Sequence, residues 1–191
     1  LIGEYNFNHT YGDSSGMNNH GTNHGTKFSS DRCYNSNTAI ALDGSGDYVN
    51  IGKMDSLTSS MNSFSVGFWF KSSKDKSNYE SIIKTLNSSD NTAFSVDINR
   101  GTGTSYQDGN INSLLRDSTG DVLSIVVFDS TINDNEWHHY LWVVEDASNN
   151  DYKILIDGTE RTPLTGYQED GPSNFTGFDN DLYIGAANNR G

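Results

Sequence analysis

The stretch Phe64-Ser65-Val66-Gly67-Phe68-Trp69-Phe70 decides the fold class of this chain. Large apolar side chains stand at every second position of the stretch. Because side chains alternate between the two faces of a β-strand, Phe64, Val66, Phe68 and Phe70 would share one face. The pattern therefore predicts a strand with one face in a hydrophobic core.

Similar short runs recur along the chain, separated by clusters of Gly, Asn, Asp and Ser. Such runs predict strands, and the clusters between them predict turns. Besides residues 64–70, we expect strands at Glu4 to Phe7, Ala39 to Leu42, Tyr48 to Ile51, Ser81 to Leu86, Ala93 to Ile98, Val122 to Phe128, His138 to Val144, Tyr152 to Ile156 and Leu182 to Ile184. Trp69, Trp137 and Trp142 fall within strands, so we expect all three in the core.

The turns and the missing helical pattern indicate how the strands combine. Asp157-Gly158, directly after the strand that ends at Ile156, is a pair typical of a type I′ hairpin. No stretch keeps a helical period over three turns, so about ten strands predict antiparallel pairing in a two-sheet β-sandwich. The polar stretches 10–26, 101–110 and 165–181 are predicted surface loops. We expect one all-β domain over residues 1–191.

Charge and cysteine content exclude several classes of function. The chain has 191 residues, a net charge of −13 and a single cysteine, Cys33, so it has no intrachain disulfide. Duplex binding needs clustered Lys and Arg, and so we predict no nucleic-acid partner. No apolar run approaches the length of a membrane span, and so we predict no membrane insertion. The acidity has two open interpretations: oxygen ligands for Ca²⁺, or a solvated, repulsive surface.

Four stretches carry a resemblance to a known family. They are Ala41-Leu42-Asp43-Gly44 followed by Asp47-Tyr48-Val49; residues 64–70; Glu136-Trp137-His138-His139-Tyr140; and residues 152–158 followed by Leu182-Tyr183-Ile184-Gly185. In this order they resemble the laminin-G-like, concanavalin A-like superfamily, particularly its pentraxin-related branch. The resemblance covers Ala41 to Gly185 and implies an antiparallel jelly roll with a hairpin around Asp43.

The same resemblance implies a further strand after Ile184-Gly185 that pairs beside the first strand. The chain stops at Gly191. We therefore expect a fragment of a larger protein that lacks its final strand. The alternative is a strand supplied by another chain, since Glu4 to Phe7 would then offer an open edge for strand pairing or oligomer formation.

Calcium is the cofactor that the resemblance suggests, at two sites. The residues at the corresponding positions are Asp13, Asn18, Asp117, Asp121, Asn188 and Asn189. Amide oxygens ligate Ca²⁺ without the charge of a carboxylate, so the asparagines would weaken binding. Ordinary turn residues remain the alternative.

Catalysis is not supported by the carboxylate pattern. Related sandwich hydrolases place Glu-x-Asp-x-Glu on one inner strand, so that acid and nucleophile share a face. Here the strand carboxylates Asp97, Glu145 and Asp146 lack alternating partners. Cys33 has neither an adjacent His nor a Gly-rich elbow. We therefore predict that the chain is not an enzyme.

Exposed aromatic side chains beside Asn and Asp are typical of glycan sites, because rings pack on sugar faces and polar groups bind hydroxyls. The loop aromatics Tyr106, Tyr167, Phe175 and Phe178 are our candidates, with anchoring of loops as the alternative. We predict a non-catalytic recognition domain that binds a glycan or protein ligand through rim loops, assisted by calcium, at an extracellular, cell or virion surface. The alternative is a structural adhesion or decoration module of a cell-surface or phage virion protein.

Overall fold

A computed structural model describes residues 1–54, 63–73, 80–86, 92–98, 109–116, 122–164 and 180–185. The strands in this part of the chain are β1 (Thr22–His24), β2 (Lys27–Ser29), β3 (Ala39–Ala41), β4 (Tyr48–Gly52), β5 (Phe64–Lys71), β6 (Glu80–Leu86), β7 (Thr92–Ile98), β8 (Asn110–Arg116), β9 (Val122–Phe128), β10 (Trp137–Asp146), β11 (Asp151–Ile156), β12 (Thr159–Glu160) and β13 (Leu182–Ile184). A 3₁₀ turn spans Ala147–Asn149. In these ranges no helix is long and apolar enough to cross a bilayer.

Two antiparallel sheets make up the body of the fold. The larger has the strand order β1-β4-β13-β6-β7-β8-β9, and the smaller has the order β12-β11-β10-β5. Strands β2 and β3 form a separate hairpin. The predicted all-β, antiparallel two-sheet sandwich is confirmed.

The core lies between the inner faces of the two sheets. Phe94 of the larger sheet stacks on Trp142 of the smaller sheet, with ring centroids 5.9 Å apart. Phe64 packs edge-on against the same indole at 5.4 Å. The Ser113 and Tyr140 hydroxyls lie 2.5 Å apart, so a buried hydrogen bond also links the sheets. Large rings therefore supply much of the buried apolar area.

The two most legible sequence signals are confirmed. On β5, Phe70 is buried in the core, and Phe64, Val66 and Phe68 pack against it. The Asp157-Gly158 turn has φ angles of 51° and 75°, both positive as a type I′ turn requires. Strands β11 and β12 pair directly across this turn.

The predicted strand at Glu4 to Phe7 is wrong. The Glu4 amide donates to Asp13 Oδ1 at 2.9 Å, and the Glu4 carbonyl accepts from the Ser14 amide at 2.8 Å. Phe7 has a φ of 49°, which ends the extended conformation. Tyr5 and Phe7 still pack against the core, so the alternation reported burial although no ladder forms. The open strand edge predicted for this segment is therefore wrong as well.

Several short or polar strands were not predicted. Strand β8 lies between β7 and β9, yet its outward positions carry Asn110 and Asn112. Strand β1 lies inside the polar stretch 10–26 and pairs with β4. Neighbouring strands, more than local propensity, decide whether such segments join a sheet. The other predicted loops, 101–110 and 165–181, lie mostly outside the described residues.

The hairpin expected around Asp43 is also different. Strand β3 pairs with β2, whereas β4 pairs with β1 and β13. The connection therefore crosses from the small hairpin to the larger sheet. Tyr11 anchors that hairpin by stacking on Phe28, with centroids 4.8 Å apart. Gly25 makes the turn into it, with a φ of 83° and no room for a Cβ beside Asp47.

The three tryptophans have different environments. Trp142 is fully buried, as predicted. Trp69 is 47% exposed, because it alternates with Phe68 and Phe70 and so points away from the core. Trp137 pairs across the strands with Lys71 on that outer face and is only partly buried. The core assignment of Trp69 and Trp137 is wrong.

Candidate functional site

A row of aromatic side chains crosses the outer face of the larger sheet. His24 on β1 stacks on Tyr48 of β4, with ring centroids 4.3 Å apart and planes at 16°. Tyr48 in turn meets Tyr183 of β13 edge-on at 5.7 Å. Their strand neighbours Val49 and Ile184 face the core, so strand alternation turns the two tyrosines outward. We call these three rings the aromatic row.

A cavity of about 300 Å³ opens at the end of this row, lined by Leu86, Asn180, Asp181 and Tyr183. We call it the Asp181 cleft. Cavities of roughly 300–1,000 Å³ are typical of small-molecule sites. The described lining residues combine an apolar side chain and an aromatic ring with an amide and a carboxylate, so the cleft offers both packing and hydrogen bonding to one ligand.

Two side-chain hydrogen bonds fix the walls of the cleft. The Asn180 amide nitrogen donates to the Leu86 carbonyl at 3.2 Å, and the Thr85 hydroxyl donates to the Asn180 carbonyl at 3.3 Å. These two bonds fasten the residues before β13 to the end of β6. The polar groups of the cleft therefore keep their geometry before a ligand arrives, which reduces the entropy lost on binding.

Asp181 is oriented from one side. The Asn50 amide donates to Asp181 Oδ2 at 2.9 Å, while Asn50 Oδ1 accepts from the Gly52 amide at 2.7 Å. No donor in the described part of the chain binds Asp181 Oδ1. An ionised carboxylate can accept about four hydrogen bonds. Asp181 therefore keeps acceptor capacity for the hydroxyl or amide groups of a ligand.

The strand carboxylates considered for catalysis have other roles. Asp97 is 1% exposed, and its two oxygens accept from the Ser81 hydroxyl at 2.5 Å and the Ser95 hydroxyl at 2.9 Å. Glu145 forms an exposed ion pair. Asp146 caps the 3₁₀ turn. Among the described residues these three carboxylates therefore act within the fold.

Asp13, a predicted calcium ligand, is 9% exposed and surrounded by donors. Its Oδ1 accepts from the Glu4 and Ser15 amides at 2.9 and 2.8 Å, and its Oδ2 accepts from the Ser15 hydroxyl and the Asn19 amide at 2.8 and 3.1 Å. Burial raises the pKa of Asp13, but these bonds outweigh it and lower the pKa to about 2. All four lone-pair positions are used, so Asp13 does not fit a calcium ligand in this arrangement.

The remaining predicted site residues give no such geometry. Asn18 is exposed, with a φ of 61°, in the same loop as Asp13. The residues Asp117, Asp121, Asn188, Asn189, Tyr106, Tyr167, Phe175 and Phe178 lie outside the described residues. Where side chains are described, no group of three or more His, Cys, Asp or Glu residues is arranged to hold a metal ion. Calcium binding and the rim-loop aromatics stay predictions.

Sequence reasoning missed the residues of the Asp181 cleft. Asn50 and Asp181 touch although they are 131 positions apart, and nothing local reveals that contact. One signal was present: Tyr48 and Tyr183 each stand one position from an inward-facing residue of a predicted strand. Alternation alone would have placed both rings on an outer face.

Comparison with known proteins identifies a family of the same fold. The family model described as the concanavalin A-like lectin/glucanases superfamily, a laminin G model, matches residues 43–191. No curated protein sequence matches the chain significantly.

Three solved structures are similar in fold. The binding domain of Paraclostridial Mosquitocidal Protein 1 has 16% identity and a TM-score of 0.61, over 93% of this chain and 47% of that chain. The receptor binding domain of botulinum neurotoxin D has 20% identity and a TM-score of 0.58, over 97% and 47%. A botulinum neurotoxin type C structure, described with cell entry dependent on two ganglioside molecules, has 16% identity and a TM-score of 0.60, over 96% and 47%. The chain thus spans about half the length of these structures, and at these identities the likeness concerns the fold alone.

Proposed function

The chain belongs to the concanavalin A-like lectin/glucanases superfamily, and we propose that it is a non-catalytic domain that binds a glycan. The observation that carries this proposal is the Asp181 cleft, where an outward tyrosine and a carboxylate with acceptor capacity line one cavity. The binding surface is thus proposed on the outer face of the larger sheet, in addition to the rim loops predicted from sequence.

The chemistry of the cleft suits a sugar ring. A sugar presents apolar C–H groups on its faces and hydroxyl groups around its edge. Tyr183 offers a ring for those C–H groups, and the phenol body of a tyrosine is apolar while its tip is polar. Asp181 and Asn180 offer oxygens and an amide at the ring edge, which bind hydroxyls.

The non-catalytic part of the proposal rests on the carboxylates. Hydrolysis of a glycoside by the usual mechanism needs two carboxyl groups that flank one bond. Asp181 is the one carboxylate among the described residues that line the Asp181 cleft. Asp97, on the outer face of the same sheet, is buried under two serine hydroxyls. Binding without turnover is what this arrangement supports.

A glycan-binding role also suggests where the protein works. Glycans are displayed on cell and virion surfaces and in the extracellular space. We therefore propose an extracellular or surface location. The relation to toxin binding domains supports this only through the shared fold.

The test is a glycan array followed by calorimetric titration of the strongest ligand. Tyr183→Ala is expected to weaken binding by about fivefold or more, since a ring packed on a sugar contributes on the order of 1 kcal/mol or more. Phe128→Ala is the matched control, because Phe128 is 49% exposed on β9, at the other edge of the same sheet. Its affinity is expected to stay within about twofold of the wild type.

Two outcomes would contradict the proposal. One is an array without any ligand. The other is an unchanged affinity of Tyr183→Ala, which would place the ligand elsewhere.

Calcium is a separate proposal that rests on Asp117, Asp121, Asn188 and Asn189. A metal that binds only the folded state raises the melting temperature, and a chelator reverses the rise. We expect that rise with calcium and not with magnesium. Unchanged melting in both would contradict calcium binding without touching the Asp181 cleft, since the described cleft residues include no metal cluster.

A further inference from the structure

The outer face of the smaller sheet exposes a second aromatic group, far from the aromatic row. Trp69 on β5 is 47% exposed. Across the strands it pairs with His139 of β10, and the two ring centroids are 5.0 Å apart. Lys71 lies two positions along β5 and so shares the face of Trp69. A large ring and a lysine are thus presented together to solvent.

Arg32 lies over this ring. Its guanidinium carbon is 4.5 Å from the centroid of the Trp69 ring, a cation–π contact. A guanidinium group presents five N–H donors in its own plane. A guanidinium that contacts a ring through the face of its plane keeps its N–H edge available. In the described part of the chain, no carboxylate forms an ion pair with Arg32.

The loop that carries Arg32 is held by its own hydrogen bonds. Asp31 Oδ1 accepts from the Cys33 and Asn35 amides at 2.8 and 2.9 Å, and Asp31 Oδ2 accepts from the Asn35 side chain at 3.0 Å. The carboxylate beside Arg32 is therefore engaged within the loop, and the loop is ordered before any ligand binds. Such preorganisation reduces the entropy lost on binding.

The charges of this surface run against those of the chain. The protein carries a net charge of −13, with 25 Asp and Glu residues against 12 Lys and Arg residues. Lys153, on the same sheet, pairs with Glu145 at 3.0 Å. Arg32 and Lys71 form no such pair with any described residue. Two uncompensated cations beside an exposed ring favour an anionic ligand with an apolar face.

We propose that Arg32, Trp69 and Lys71 form a second binding site, which recognises a carboxylate-bearing sugar unit such as a uronic acid. The edge of the Arg32 guanidinium binds the carboxylate through two parallel hydrogen bonds. The exposed part of the Trp69 ring packs against the C–H groups of the sugar. Lys71 adds a second positive charge. The site lies on the opposite side of the sandwich from the Asp181 cleft and does not depend on the function of that cleft.

The test is a titration with an oligomer of galacturonic acid and with its methyl ester, followed by tryptophan fluorescence. The ester keeps the shape of the sugar but removes the charge, so we expect it to bind about tenfold more weakly or worse. Arg32→Gln should weaken binding of the acid by a similar factor, and Arg32→Lys should recover only part of it, since lysine cannot form the bidentate pair. Arg32 is exposed, so both variants should fold normally.

Controls separate this site from its neighbours. Lys153→Gln removes an outward lysine that is already ion-paired, and its affinity should stay within about twofold of the wild type. Tyr183→Ala should also bind the acid normally, so failure here and failure at the Asp181 cleft are distinguishable. Equal binding of acid and ester, or an unchanged affinity of Arg32→Gln, would overturn the site. Equally tight binding of polyglutamate would assign the surface to acidic peptides and overturn the sugar assignment.

Discussion

Asp13 and Asp181 are both carboxylates beside a tyrosine, but their surroundings differ. Asp13 is buried and accepts four hydrogen bonds from its own chain. Asp181 accepts one from the described residues and lines a cavity. The comparison shows how a carboxylate that holds the fold together differs from one that is available to a ligand. The two carboxylates differ in how many of their lone pairs already accept hydrogen bonds, and not in residue type.

The neighbouring tyrosines differ in the same way. The Tyr5 hydroxyl donates to the Asn19 carbonyl at 2.6 Å, and burial together with the charge of Asp13 raises the pKa of Tyr5. Tyr48 and Tyr183 instead lie on the outer face of the larger sheet. The region around Asp13, which we call the N-terminal segment (residues 2–19), therefore supports stability, while the Asp181 cleft supports recognition.

The largest effect is expected from Asp13→Ala. The substitution removes four partly buried hydrogen bonds to a charged acceptor and leaves their donors without this partner, at a cost of about 3 kcal/mol in unfolding free energy. Urea unfolding measures this loss. Asp181→Ala is the matched control and should cost about 0.5 kcal/mol or less. Similar losses in both variants would remove the distinction between the two regions.

The pH dependence of stability should follow the same carboxylate. The folded pKa of Asp13 is about 2, below its ordinary value of 3.8, so its contribution is fully present above the ordinary value. That contribution is lost as the pH falls toward the folded pKa. The difference in unfolding free energy between the wild type and Asp13→Asn should therefore shrink from about pH 5 to about pH 2. A difference that does not change with pH would contradict the role of the charge.

A smaller effect, with the opposite dependence on pH, is expected at His138. Its ring binds two carboxylates within the fold. Burial lowers the pKa of His138, but hydrogen bonds to Asp157 at 2.7 Å and Asp134 at 3.1 Å raise it overall. Its stabilising contribution is therefore present below the unfolded pKa of about 6.5 and lost as the pH rises through the folded pKa. In urea unfolding the wild type should lose its advantage over His138→Gln, of about 1 kcal/mol, as the pH rises above the ordinary histidine pKa of about 6.5.

A stability gap that instead widened above neutral pH would contradict this assignment. At acid pH the dependence on pH reverses: stability falls as the pH falls, because the two aspartates have lowered pKa values and lose their stabilising contribution as they protonate.

The sequence predicted the sheet sandwich because its strands carry a strong period-two signal. The run from Phe64 to Phe70 and the Asp157-Gly158 turn both describe local geometry, and both are confirmed. The strand at Glu4 to Phe7 failed for the opposite reason. Its alternation was real, but the backbone groups of Glu4 bond to the Asp13 side chain and the Ser14 amide of the N-terminal segment instead of to a neighbouring strand. Local pattern reports burial more reliably than it reports strand pairing.

The binding surfaces could not be predicted from local pattern. Asp181 meets Asn50 through the pairing of β4 with β13, and Arg32 reaches Trp69 from a separate hairpin. Both contacts join segments that are distant in the chain. Trp69 shows how the error arose: the alternation that placed Phe68 in the core also turned Trp69 outward, but its position within a strand was taken to indicate the core.

The smallest effect is expected from Asp181→Asn. The substitution keeps the shape of the side chain but replaces a charged acceptor, so the glycan affinity should fall by about fivefold while stability changes by about 0.5 kcal/mol or less. Calorimetric titration and urea unfolding give the two values. A large loss of stability without a loss of affinity would exchange the roles of Asp13 and Asp181.

The most direct test follows the tyrosine rings by NMR in protein with selectively labelled tyrosine, while the strongest array ligand is added. The ring signals of Tyr48 and Tyr183 are expected to shift and saturate with the ligand, because Tyr183 lines the Asp181 cleft and Tyr48 contacts the Tyr183 ring edge-on. The signal of Tyr5, which is hydrogen-bonded within the N-terminal segment, should not shift. A shift of the Tyr5 signal with the signals of Tyr48 and Tyr183 unchanged would contradict the division between an N-terminal segment that stabilises the fold and a cleft that binds the ligand.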